Sequence, residues 1–273
     1  MQYVKDRLKK VFFEFNGEYS YDYFIDIIKW NHMDTPALLL EQERIPGAHK
    51  DTFYTEGNYE NKVIDIECYL DIRHDLKSKD SHIKRIKRWL YGDYKYKELR
   101  FSDDSEGFYE GLCISNMLFE EVVEGLYRTL ITFSCNPFKM IKHDDYVFNY
   151  KKREVNFINN SPMECPLKIN IEYPNPENVS GFEVQVINTK YEIVYHFKCD
   201  APVKNTKYLE VDSESFNIIS TDINNIKESA ISISKSFAFP YALKGDNKIR
   251  VNFNCDDEIS YPTMKITFNE LEL

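Results

Sequence analysis

Glycine is scarce in this chain of 273 residues, with only 9 copies, and tryptophan occurs twice. Cations are also the minority charge: 35 Lys and Arg stand against 45 Asp and Glu, a formal net charge of −10, with a pI near 5.2. An acidic balance of this size argues against a protein that tracks nucleic-acid phosphates, because such binding draws on an excess of Lys and Arg. No apolar run approaches the ~20 residues that a bilayer span needs, so no membrane span is expected. The opening MQYVKDRLKKVFFEF lacks the apolar centre of a signal peptide, and export through a membrane is not expected.

The usual marks of catalysis are missing too. There is no G-x-x-x-x-G-K-[ST] phosphate loop, no G-x-S-x-G elbow and no H-E-x-x-H pair. The six cysteines, Cys68, Cys113, Cys135, Cys165, Cys199 and Cys255, never fall into the C-x-x-C spacing of a structural zinc site, and they read as buried free thiols. The doublets Asp103-Asp104 and Asp256-Asp257 invite comparison with the two carboxylates of a glycosidase. Neighbours on a strand point to opposite faces, however, so neither doublet by itself supplies two converging acids. No enzyme, cofactor or metal site is expected.

Aromatic residues are abundant: 20 Tyr and 19 Phe. They suit pleated, half-buried surfaces, and Tyr suits surfaces where one end of the ring stays wet. The patterning agrees. In the segment from Val63 to Leu70, Ile64, Ile66, Cys68 and Leu70 share one face of a strand; in the segment from Thr129 to Cys135, Ile131 and Phe133 do so. Between them lies the clearest helix, with Ser81 as the expected N-cap, Ile83, Ile86 and Leu90 at helical spacing, and Gly92 as the expected close. Asn16-Gly17 predicts a tight hairpin, and Pro46-Gly47 a second turn.

The chain is long enough for two cores. The expected division is an N-terminal β/α domain over 1–140, a polar connector over 141–153, and a C-terminal β-sandwich over 154–273. In the last part, alternating runs predict eight short strands: Leu167 to Tyr173, Phe182 to Ile187, Tyr191 to Phe197, Tyr208 to Val211, Phe216 to Ser220, Ala230 to Ser234, Lys248 to Phe253 and Met264 to Phe268. The fold class is therefore mainly β, with one main helix.

The outer face of the helix carries Lys84, Arg85, Lys87 and Arg88, with Trp89 beside them. Three readings stay open for it: a solvated cover over a sheet, a docking surface for an acidic neighbour, or a nucleic-acid contact. These five residues are the candidates for a subunit interface.

The order of the motifs carries a resemblance. FEFNGEYS (Phe13 to Ser20), ERIPGAHKDTFY (Glu43 to Tyr54), VIDIECYL, the basic helix and the strand ending in FSCNPF (Phe133 to Phe138) are followed by YLEVDSES (Tyr208 to Ser215) and FAFPYALKGDNKIRVNF (Phe237 to Phe253). In that order they resemble the phage distal tail proteins, over nearly the whole chain. The resemblance implies a hexameric ring built from N-terminal domains, continuing the tail tube, and a C-terminal galectin-like jelly roll that projects outward. Implied partners are other copies of the chain, the tail tube protein, the tail-tip hub or tail-associated lysin, and receptor-binding proteins. The implied place is the virion tail tip, after synthesis in the host cytoplasm. The alternative from another class is a carbohydrate-binding module that uses exposed rings such as Tyr191, Tyr195 or Tyr241; a hydrolase with an unrecognised site is a third.

Overall fold

The computed structural model describes residues 11–44, 46, 49, 52–54, 58–188, 190, 192–202, 205–236, 238–255 and 258–272. The expected Pro46-Gly47 turn, the Asp256-Asp257 doublet and Tyr191 fall wholly or partly outside them. The chain divides into two compact units, Met1–Met140 with Leu273, and Ile141–Glu272.

The first unit runs through β1 (Phe13–Phe15), β2 (Glu18–Tyr19), β3 (Ile25–Trp30), β4 (Glu41–Glu43), β5 (Thr52–Tyr54), β6 (Lys62–Asp71), α1 (Lys79–Tyr91), β7 (Lys97–Phe101), β8 (Asp104–Cys113), β9 (Glu120–Val123) and β10 (Leu126–Cys135). Its main sheet has the order β2-β1-β7-β8-β10-β6-β3, with β9 paired beside β10. Strand β10 lies antiparallel to the whole of β6, placing Ile131 opposite Ile66 and Phe133 opposite Ile64. The alternation read from the sequence is realised in full: Ile64, Ile66, Cys68, Leu70, Ile131 and Phe133 are all buried.

The hairpin at Asn16-Gly17 also forms. Both residues have positive φ, 54° and 79°, as a two-residue turn between paired strands requires, and Phe15 stands opposite Glu18. Its second strand is brief, because the chain turns into a 3-10 helix at Ser20–Tyr23. The side chain of Ser20, buried there, accepts the Phe13 N–H at 3.3 Å.

Two details of the helix differ from expectation. The N-cap is Ser78, not Ser81: Ser78 is extended (φ −66°, ψ 151°), and its hydroxyl accepts the Ser81 N–H at 3.4 Å. Its place three residues before that N–H is what a capping oxygen needs, and Asp80 then faces the positive end of the helix dipole. Gly92 caps the C-terminus of the helix as expected, but in the right-handed conformation (φ −53°, ψ −38°) instead of a left-handed turn. Its role is space, since a Cβ there would lie 2.9 Å from the Arg88 carbonyl oxygen.

The second unit is a sandwich. Its strands are β12 (Tyr146–Phe148), β13 (Glu154–Asn159), β14 (Cys165–Pro166), β15 (Lys168–Glu172), β16 (Val179–Ile187), β17 (Ile193–Asp200), β18 (Thr206–Asp212), β19 (Asn217–Asp222), β20 (Lys227–Ser229), β21 (Tyr241–Ala242), β22 (Gly245–Cys255), β23 (Thr263–Thr267) and β24 (Asn269–Glu272); β11 (Lys139–Lys142) precedes them across the boundary. A six-stranded sheet, β12-β23-β15-β18-β19-β20, and a four-stranded sheet, β13-β22-β16-β17, supply the core. Ile169, Ile171, Leu209, Val211 and Ile266 come from the first sheet, and Phe182, Val184, Phe197, Ile249 and Val251 from the second.

Two expectations fail here. The stretch 141–153 is not a bare connector, because it contains β12, whose Phe148 is 1% exposed in the sandwich core. Its apolar residues are too few to show a period, and only the pairing with β23 makes them a strand. Ala230 to Ser234 forms a 3-10 turn at Ile231–Ile233 instead of a strand. Buried Ala230 and Ile233 are three residues apart, which is the 3-10 period.

Candidate assembly interface

Helix α1 presents two different faces. His82, Ile86, Trp89 and Leu90 are buried, packed in the core that holds Phe13, Phe15 and Phe133. Trp89, expected among the surface candidates, is 5% exposed. Its indole N–H donates to the Phe15 carbonyl at 3.0 Å, and its ring stacks on Phe13 at 5.5 Å. It anchors the helix to its own sheet and takes no part in the outer surface.

Lys84, Arg85, Lys87 and Arg88 are all exposed. Arg85 is held: its guanidinium lies 4.5 Å from the Tyr23 ring centroid and donates to the Asp22 carbonyl at 3.2 Å. Tyr23 in turn donates to the Glu18 carboxylate at 2.5 Å. Burial and that carboxylate push the phenol up to about 12, so it remains a donor. Lys84, Lys87 and Arg88 make no ion pair among the described residues.

Sequence reasoning missed a second charged surface. Strand β9 is exposed along its length, with Glu120 opposite Arg128 and Glu121 opposite Tyr127. Glu124 follows in the turn, also exposed. Leu118, Val122 and Val123 next to these acids are exposed as well, Leu118 by 68%. A groove of about 390 Å³ runs beside them, lined by Glu67, Leu118, Glu120, Arg128 and Leu130 among others; Arg128 is ion-paired with Glu67. The available signal is the EEVVE run itself, which puts an acid on both faces of the strand and leaves neither face apolar.

A buried polar cluster was equally invisible in the sequence. His32 and Lys62 are 1% and 5% exposed. The Lys62 ammonium donates to the His32 carbonyl and to the Tyr109 hydroxyl at 3.0 Å, while Tyr109 donates to the same carbonyl at 3.0 Å. The imidazole lies against Phe101 at 4.3 Å and 3.4 Å from an Asp103 oxygen. Burial lowers the His32 and Lys62 pKa values. Asp104 is ion-paired with Lys139 at 3.0 Å, so the two acids of the doublet, Asp103 in the turn and Asp104 at the start of β8, go to different partners. Among the described residues no three His, Cys, Asp or Glu side chains are grouped to hold a metal ion.

The N-terminal sheet with its main helix and the C-terminal sandwich match solved structures across nearly the full chain. The SPP1 Dit protein, a hub component of Gram-positive-infecting phages, aligns with TM-score 0.70 at 14% identity, covering 97% of this chain and 100% of that one. This chain has the fold of a phage distal tail protein. The phage p2 baseplate in its activated conformation gives TM-scores of 0.63 with Sr and 0.62 with Ca, each at 7% identity and 95% of this chain, covering 97% and 98% of the respective matched chains. Residues 8–137 match the family described as phage tail protein N-terminal domain. No curated protein matches the sequence.

Among the described residues, the candidate sugar-stacking rings Tyr195 and Tyr241 do not form a flat exposed platform. Tyr195 and Tyr241 are 5.8 Å apart but inclined by 36°, and both are partly buried. Their hydroxyls are engaged, with the Glu164 carboxylate at 2.5 Å and the Ser213 carbonyl at 3.2 Å. No disulfide forms among the described residues, and all the cysteines but Cys255 are buried.

Proposed function

We propose that this chain is a non-enzymatic structural subunit of a siphophage tail tip or baseplate. It forms a hexameric ring with other copies of itself, joins the tail tube protein to the tail-tip hub or its lysin, and supports receptor-binding components. The C-terminal sandwich is of the galectin-like kind in this reading. The observation that carries it is the likeness to the SPP1 Dit protein over 97% of the chain, joined by the match of residues 8–137 to a phage tail domain.

The surface of the first unit is consistent with assembly. Val63, Val122, Val123 and Leu130 are each about half exposed, and a neighbouring subunit would bury them. Negative-stain images of the purified chain test the proposal directly. Rings of uniform diameter are expected, and antibodies against the chain should label the distal end of tails. A protein that remains monomeric at high concentration and is absent from purified tail tips overturns the reading.

A further inference from the structure

The outer face of α1 and the β9–β10 hairpin carry opposite charge, and neither is neutralised within the copy that bears it. Lys84, Lys87 and Arg88 on the helix, and Glu120, Glu121 and Glu124 on the hairpin, are exposed and form no ion pair among the described residues. Each surface also has bare apolar neighbours. Leu76 and Tyr94, at the two ends of the helix, are almost wholly exposed, as is much of Leu118 beside the glutamates. Exposed aromatic and aliphatic groups bordered by polar, charged ones follow the anatomy of a protein interface, an apolar centre within a polar rim.

The two surfaces do not satisfy each other internally. Lys79, at the start of α1, lies 4.1 Å from the ring centroid of Tyr127, the strand partner of Glu121. The hairpin therefore borders the first turn of the helix. At about 1.5 Å per residue, Lys84 and Arg88 lie about 8 and 14 Å further along the axis.

We infer that the basic face of α1 on one copy receives the acidic β9–β10 hairpin of the next. This rests on the ring reading and names its contact. The partner is a second copy because the complementary charges belong to one chain, and because that chain is acidic overall: copies of net charge −10 repel unless positive groups stand at the seam. The contact joins two unlike surfaces, so it repeats head to tail, and such a contact closes into a ring when the rotation per copy fits. A contact of like with like would stop at a pair. The groove beside Glu120 and Leu118 gives the long stem of Lys84 or Arg88 an apolar wall with a carboxylate at its edge.

A charge-swap experiment on the full chain tests this. Three variants are compared with the wild type by mass photometry at low and high salt: Lys84→Glu with Arg88→Glu, Glu120→Lys with Glu121→Lys, and all four changes together. Each double variant should weaken association about tenfold or more at low salt, less at high salt where screening is strong, with melting temperatures unchanged. The fourfold variant should restore assembly, because its helix and hairpin are again complementary. Failure of the fourfold variant to assemble, or normal rings from the hairpin variant alone, overturns the contact. So does a helix variant that forms normal rings and loses only its affinity for a short DNA duplex, since the cations would then serve nucleic acid. A wild type that forms no ring at any salt removes the ring reading itself, and this contact with it.

Discussion

The indole of Trp89 stacks on the phenol of Tyr23, with centroids 4.2 Å apart and planes 7° from parallel. The same Tyr23 ring carries the Arg85 guanidinium at 4.5 Å. One tyrosine thus touches the buried and the exposed face of α1, so the position of the Arg85 guanidinium depends on the packing beneath it.

That coupling makes the two faces separable by mutation. Trp89→Ala removes a buried ring and leaves the Phe15 carbonyl without its donor, and should destabilise the first unit by about 3–5 kcal/mol. Arg85→Ala gives up an exposed cation–π contact and one exposed hydrogen bond to the Asp22 carbonyl and should cost about 1–2 kcal/mol. Denaturant unfolding followed by circular dichroism measures both. Equal losses would show that Trp89 is not a core anchor.

Stability should fall on mild acidification, through two histidines. His32 and His82 are buried, and burial lowers both pKa values, outweighing the opposing pull of Asp103 and Asp75. The unfolded chain, with imidazoles near the ordinary value of about 6.5, then binds more protons than the folded one in the window below that value. Stability is full above about pH 6.5 and is lost as pH falls through the lowered folded values. The carboxylates held down by cations, such as Asp71 by Arg73, add their loss only in a more acid window, below about pH 4. Melting temperature followed from pH 7.5 to 5 should therefore slope, and His32→Gln with His82→Gln should flatten that slope. An unchanged slope in the double variant would assign the effect to other groups.

The position of Phe148 moves the boundary at which the second unit can be cut. A fragment of 141–273 keeps β12 against β23 and should unfold in one cooperative transition. A fragment of 154–273 lacks β12 and the buried Phe148 side chain, a loss comparable with Phe148→Ala at about 3–5 kcal/mol. It should melt lower or aggregate. Equal stability of the two fragments, measured by calorimetry, would show that β12 is dispensable.

Gly181 is required by a close approach inside the sandwich. Its φ is 153°, and a Cβ there would lie 2.5 Å from the Cys199 carbonyl oxygen of the neighbouring strand, at the irregularity where the β16–β22 register shifts. Gly181→Ala should cost about 1–3 kcal/mol from backbone strain alone, whereas Gly107→Ala meets only the flexible Lys139 side chain and should cost less. Thermal melts of the two variants decide the point.

Much of this architecture was legible in the residues. The alternation of Ile64, Ile66, Cys68 and Leu70, the Asn16-Gly17 turn and the helical spacing of Ile86 and Leu90 are local signals, set by the period of the backbone and by steric limits on φ and ψ between near neighbours. The same local signals placed Lys84, Arg85, Lys87 and Arg88 on one outer face. Tertiary structure decided the rest. Trp89 became core only because Phe13, Phe15 and Tyr23 close over it from a distant part of the chain. His32, Lys62 and Tyr109 meet only when three separate segments fold together, and Tyr146 to Phe148 became a strand only because β23 presents an edge to it. Periodicity and turn chemistry act over a few residues and are written in the sequence where they act; which polar groups become buried together depends on strand pairing across tens of residues, which only the folded chain determines.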